Sequence, residues 1–429
     1  MIERIKTALS DCGVEHWLLA EIRVESAEWF FVKKELDTRR IKDTLKYRLT
    51  LYTDGEKNGK KTRGSTSVEL LPSMTDGELK KEISGAKFAS LYAQNPYYDL
   101  PDPVKAAPAR KTGFLAEQPL AVSLGKMAEA LFASDTRADA FLNSAELFAE
   151  RKAVRILSSV GADVSWTNAG INGEFVVQCK EPEDVELHNR FAYDECDTEA
   201  LRLRVKEALT FVCDRAKAEK VLRSGNYDLL LTGEQLATVL SYYPSRSGAS
   251  MLYSKYSTWN VGDNVQGDCR GEKLNLTLCA TEPYSMEGIP MSDLTVLRDG
   301  EFTSVHGGNR FCRYLGVKPT GDYEKMRLEN RGNLSFEEMK QKPVLWAVTF
   351  SDFQMDDFTG RFGGEIRLAY LIDGNKVTPV TGGSVNGSLL EQQSDLTFSA
   401  ETFRSADYEG PYAALFKSVS VAGTEGGNA

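Results

Sequence analysis

The stretch IRLAYLIDGNKVTPV, residues 366–380, decides how the second half of this chain folds. Two extended runs flank Asp373-Gly374, and an Asp-Gly pair between such runs is one of the stronger short-range hairpin signals. LTVLRDGEFTSV, residues 294–305, repeats the arrangement about Asp299-Gly300. Between them, Leu345, Ala347 and Thr349 alternate with Trp346, Val348 and Phe350. That run is apolar on both faces and so predicts a central strand. The second half therefore reads as mostly strands.

The first half is mixed. Ile2, Ile5 and Leu9 mark one face of a surface helix at the N-terminus. Tyr47, Leu49 and Leu51 alternate as a strand, closed by the turn signal Asp54-Gly55. Thr75 with Glu78 three residues on is a capping box, and the helix it opens is expected to run to about Tyr92. NPYYDLPDP, residues 95–103, holds three prolines and cannot continue a helix. Residues 105–120 read as a loop or linker. Helices are expected near residues 124–133 and 136–150, and strands near 153–165 and 173–180. The helix over residues 198–221 carries Val205, Ala208, Leu209 and Val212 as a one-sided stripe. Arg223-Ser224-Gly225-Asn226 then breaks the pattern. This predicts two domains, residues 1–222 and 223–429. For 429 residues, two domains is also the natural expectation from chain length. The tail GTEGGNA is expected to be disordered.

Composition excludes several function classes. The net charge is -10, which argues against a nucleic-acid partner, since phosphate contacts need clustered Lys and Arg. Residues 33–63 hold 11 basic and 5 acidic residues, but the segment reads as a solvated hairpin. No apolar run reaches the length of about 18 residues that a membrane helix needs. The N-terminal residues lack the continuous apolar core of a signal peptide. Seven scattered cysteines without a C-x-x-C pair fit free thiols in a reducing cytoplasm.

Motifs that carry chemistry are scarce. His16, His188 and His306 are the only histidines, and no two share a helix face. The acidic group Asp352, Asp356 and Asp357 lacks the glycine and closing glutamate of a calcium loop. Ser84–Lys87 and Ser123–Lys126 match S-x-x-K, a pattern common by chance. No nucleophile elbow, P-loop or dinucleotide fingerprint occurs. Spacing alone assembles no enzyme mechanism.

Several segments, taken in order, resemble the TldD/PmbA family, once labelled modulators of DNA gyrase and now regarded as peptidases. They are NPYYDLPDP, SGNYDLLLTGEQLATVL (224–240), EGIPMSDLTVLRDGEFTSVHGGNRFCRYLG (287–316), AVTFSDFQMDDFTGRFGGEIRLAYLIDGNKVTPV (347–380) and FKSVSVAG (416–423). The resemblance implies an α+β fold. Its N-terminal domain would be mixed, with an antiparallel sheet, and its C-terminal domain a strand-rich curved sheet or barrel. It also implies two subunit types. One carries H-E-x-x-x-H on a helix opening the second domain, with a further cysteine ligand near the C-terminus. The other, PmbA or TldE, lacks these ligands. The two are thought to form a cytoplasmic metalloprotease for short or unfolded peptides.

By order in the chain, Ser241-Tyr242-Tyr243-Pro244-Ser245-Arg246 stands about where that motif falls. It holds no histidine or glutamate, and Pro244 is incompatible with a deep helix position. Residues 398–429 hold no cysteine. The expectation is therefore a PmbA-like subunit with no catalytic residue, no metal ligand and no cofactor of its own. A divalent metal is expected in a TldD-like partner; the alternative partner is a second copy of this chain. Tyr242, Tyr243 and Arg246 read either as surface residues at a helix end or as a peptide-binding wall. Tyr256 and Trp259 could extend that wall, or, for Trp259 above all, belong to the core. Two other readings stay open: a stand-alone peptide-binding or regulatory protein, and an enzyme with a metal held by Asp or Glu plus His306.

Overall fold

A computed structural model describes residues 1–424; residues 425–429, the end of the tail expected to be disordered, lie outside the described residues. The fold is α+β, with an antiparallel sheet toward the N-terminus and a five-stranded barrel toward the C-terminus.

The N-terminal sheet has seven strands: β1 (His16–Val32), β2 (Glu35–Lys57), β3 (Lys60–Leu70), β4 (Gln94–Pro96), β5 (Ala140–Ser158), β6 (Asp163–Cys179) and β7 (Val185–Tyr193). Their order is β4-β3-β2-β1-β5-β6-β7. Alternation along each strand supplies two apolar faces. Leu19, Leu49 and Leu51 meet α1 (Ile2–Asp11) and α2 (Asp76–Ser90) through Ile5, Leu9, Leu79 and Ile83. The short α3 (Phe114–Glu117), α4 (Leu120–Ala133) and α5 (Thr198–Ala216) cover Leu147, Ile171 and Phe175 with Leu115, Leu124, Leu131, Val205 and Leu209. On the reverse face, Leu18, Ala20, Ile22, Ile156 and Trp166 pack with Tyr284, Met286 and Tyr314 from the second half. The two halves thus share a core.

Three expectations need correction. Residues 136–150 are not a helix: from Ala140 onward they form β5, which is paired to β1 on one side and β6 on the other. Ala, Leu and Glu favour helix locally, but the two-sided ladder decides. Residues 153–165 are the end of β5, a turn with Gly161 at φ 101°, and the start of β6. The turn after Leu51 is not at Asp54-Gly55, which lie within β2 paired to Arg63 and Thr62. It comes at Asn58 and Gly59, both at positive φ (53° and 73°), as a two-residue hairpin turn of mirror-image type requires.

The second half contains β8 (Gly225–Thr232), β9 (Leu276–Cys279), β10 (Leu294–Arg298), β11 (Glu301–Phe302), β12 (Lys325–Leu328), β13 (Val344–Met355), β14 (Arg361–Asp373), β15 (Lys376–Val380), β16 (Ser384–Ser388), β17 (Thr397–Phe398), β18 (Thr402–Arg404), β19 (Tyr408–Pro411) and β20 (Ala413–Ala422). Strands β13, β8, β20, β16 and β14 pair in that order, and β14 pairs back to β13, closing the barrel. A smaller sheet runs β11-β10-β9-β12-β19-β18. Both Asp-Gly hairpins form: Arg298 pairs with Glu301 about Asp299 and Gly300 (φ 49° and 79°), and Asp373 pairs with Lys376 about Gly374. β13 is central, between β8 and β14. Among the described residues, no helix is long and apolar enough to cross a membrane.

Candidate functional site

The chain leaves the barrel at the end of β8, where Gly233 takes φ 52° and turns it into a run of three short helices. These are α6 (Gly233–Leu240), α7 (Tyr242–Ser247) and α8 (Ala249–Tyr253). Ser241 joins the first two and its hydroxyl donates 2.8 Å to the Thr238 carbonyl. Pro244 is the third residue of α7, where an amide has no acceptor within its own helix. The ring is tolerated because α7 restarts at Tyr242 and is only six residues long.

The aromatic residues of α7 point inward. Tyr242 is 2% and Tyr243 0% exposed, so they are neither surface residues at a helix end nor walls open to a peptide. The Tyr243 hydroxyl donates to Gln393 Oε1 at 2.9 Å. Trp259 joins them, its ring centroid 6.1 Å from Tyr242, 6.3 Å from Tyr243 and 5.5 Å from Phe302. It is partly buried against the barrel core, the second of the two readings given for it. Burial raises the hydroxyl pKa of Tyr242 and holds that of Tyr243 well above the ordinary tyrosine value.

Arg246 is almost buried, and its guanidinium donates to the Tyr256 carbonyl and lies 5.7 Å from the Tyr242 ring. Beside it, burial raises the Asp357 carboxyl, while the Ser245 hydroxyl and Arg246 oppose the shift. Tyr256 is the expected site residue that does face solvent. Its ring meets the equally exposed Phe358 edge to face at 5.2 Å. The structure therefore separates the five expected binding residues: three in the core, one bridging, one outside.

His306 is drawn to the same place. Its Nε2 is 2.8 Å from the Pro244 carbonyl, so that nitrogen carries the proton and donates. Its backbone accepts from Ala249 N at 2.7 Å and donates to Ser247 O at 3.3 Å. The imidazole thus pins the C-terminal end of α7. Its Nδ1 is buried without a hydrogen-bond partner, and burial lowers the ring's pKa. The sequence reads each histidine as structural or solvated before it reads it as a ligand, with a metal at His306 as an alternative; this particular clamp had no sequence signal, because Pro244 lies 62 positions away. Among the described residues, no three His, Cys, Asp or Glu side chains converge as a metal-binding group.

Residues 224–423 match the PmbA/TldA metallopeptidase C-terminal domain. This C-terminal part of the chain is of the TldD/PmbA family. Three solved structures share its fold almost end to end. TldE from Thermococcus kodakarensis is 16% identical, with a TM-score of 0.76 over 98% of this chain and 100% of that one. A putative modulator of a DNA gyrase from Thermotoga maritima is 14% identical, with a TM-score of 0.76 over 98% and 99%. A putative modulator of DNA gyrase from Bacteroides thetaiotaomicron is 15% identical, with a TM-score of 0.77 over 98% of each chain. At these identities the likeness is one of fold. No curated protein matches the chain.

Proposed function

We propose that this chain is the TldE-type subunit of a cytoplasmic TldD/PmbA peptidase, acting with a metal-bearing TldD-like partner on short or unfolded peptides. One observation carries the reading. α7 offers phenols, a proline, serines and an arginine in place of imidazole and carboxylate, and its two phenols are locked inside the core. Such a donor set does not fit a divalent cation. A ligand must shed its proton to bind well, and burial keeps the proton on both tyrosines. Support also comes from the shared fold with a protein named TldE. In this reading the subunit completes a chamber and helps guide an extended peptide, by strand addition to an open sheet edge.

The test is an assay of the purified chain for bound metal and for peptidase activity, alone and mixed with a TldD-type protein. The expected result is no stoichiometric metal and no activity alone, with activity in the mixture that exceeds the partner's own. Stoichiometric metal together with peptidase activity of the isolated chain overturns the proposal.

A further inference from the structure

Away from α7, a cavity of about 620 Å³ opens where the two halves meet. One wall comes from the end of β7 and from α5, the other from β18 and Tyr412. A second chamber of about 210 Å³ shares Arg204, Glu207, Glu234, Phe403 and Tyr412 with it. Glu234 stands in the first turn of α6, and eight residues of helix at about 1.5 Å each put α7 roughly 12 Å further on. Gly233 is favoured here for its positive φ of 52°, and a Cβ there would sit in ordinary contact range of the Phe403 ring.

The lining has two characters. Phe191, Tyr193, Phe403 and Tyr412 give it aromatic faces. Against them stand five carboxylates and two guanidiniums. Each guanidinium has a carboxylate partner, Arg204 through Nη2 to Glu234 at 2.7 Å and Arg404 to Asp194 at 2.9 Å, while the Arg204 Nε is buried without a hydrogen-bond partner. Asp197 is used as the cap of α5, accepting from Ala200 N at 2.9 Å. Glu207 accepts one hydrogen bond, from the Tyr412 hydroxyl at 3.0 Å, which leaves its second oxygen free. This carboxylate is solvent-accessible and yet closely surrounded, so burial raises its pKa; a side chain on a concave wall has both properties. An aromatic cavity with surplus negative charge suits a cation on an apolar stem, which gains from the ring faces and from the free carboxylate oxygen.

The geometry points to this cavity as a receptor for the basic side chain, lysine or arginine, of a peptide, with Glu207 as the charge partner and Phe403 as an aromatic wall. The inference rests on the peptide-handling role proposed above and adds a substrate preference to it.

Calorimetric titration of the full chain tests it, using N-acetyl-lysine methylamide, N-acetyl-arginine methylamide, the neutral norleucine counterpart and n-butylammonium. The basic amides are expected to bind about ten-fold more tightly than the norleucine amide. Glu207→Gln and Phe403→Leu should each reduce that preference several-fold while leaving the melting temperature near the parent's. Two variants on opposite walls keep the test decisive if one folds poorly. Equal binding of basic and neutral amides overturns the inference. So does n-butylammonium binding as tightly as the lysine amide, which would make the cavity a site for free amines. Because binding is read on this chain alone, its failure is separable from failure to stimulate a partner's peptidase activity.

Discussion

Tyr243 offers a direct measure of whether α7 is part of the core. Its side chain is fully buried, edge to face with Tyr242 at 5.6 Å and tied to Gln393 by one hydrogen bond. Tyr243→Phe keeps the ring and strands Gln393 Oε1, since the amide nitrogen of Gln393 remains bound to the Val265 carbonyl at 3.0 Å. An unsatisfied buried acceptor costs about 1–3 kcal/mol. Tyr243→Ala also empties the ring's volume, and aromatic-to-alanine changes in cores cost about 3–5 kcal/mol. With a urea slope of about 2 kcal/mol/M, the midpoint should fall by roughly 0.5–1.5 M for the first and 1.5–2.5 M for the second. Urea titrations followed by far-ultraviolet circular dichroism read both. The order matters as much as the size: alanine must be the worse substitution. If Tyr243→Ala shifted stability by no more than the ±0.5 kcal/mol or so typical of surface positions, the packing described for α7 would be refuted.

Other expectations follow from single features. Thr75→Ala removes the side chain that accepts from Glu78 N and should cost about 1 kcal/mol, read as a fall in urea midpoint. Gly64→Ala would place a Cβ 1.9 Å from the Ser90 carbonyl oxygen, so β3 and α2 must move apart; a loss of about 1–3 kcal/mol or more is expected, and a stability equal to the parent's would contradict that close approach. His306 should make the fold acid-sensitive. Its folded pKa lies below the ordinary 6.5, so as pH falls through that value the unfolded chain takes up a proton that the buried ring refuses. Stability from this group is thus complete above pH of about 6.5 and declines below it. His306→Gln, which keeps an Nε2 donor, should flatten the decline in melting temperature between about pH 7.5 and 5.5.

Much of the fold was legible where the signal was local. The two Asp-Gly hairpins, the Thr75 capping box and the stripe on α5 each depend on a few neighbouring residues, and each forms. The long strand β5 was not legible, because its conformation is imposed from outside. Phe148 and Glu150 sit opposite Glu28 and Ser26 of β1 on one side and Asn172 and Gly170 of β6 on the other, none of them a near neighbour in sequence. Glu28 itself is almost buried in that ladder and is held as a carboxylate by Lys42 and Arg40 of β2, whose bonds keep its pKa below the usual value. A pattern-based reading sees Lys42 and Arg40 only as part of a basic stretch and does not connect them to Glu28.

The candidate site divides in the same way. Residue identity at α7 could be read directly, since a missing imidazole is a fact of sequence. Direction could not: whether Tyr242 and Tyr243 face solvent or core depends on Trp259, Phe302 and Gln393, and on His306 gripping the Pro244 carbonyl from 62 residues away. The consequence is chemical. A helix that carries metal ligands must present lone pairs to a cleft, whereas α7 presents protonated phenols to the barrel core and spends its carbonyl on a neutral imidazole. Those two arrangements exclude each other at one position, because the same inward-facing residues cannot both fill the core and open onto a cation. Restoring histidines to α7 by substitution alone should therefore yield a less stable chain and not a metal site, unless the packing around Trp259 is redesigned with it.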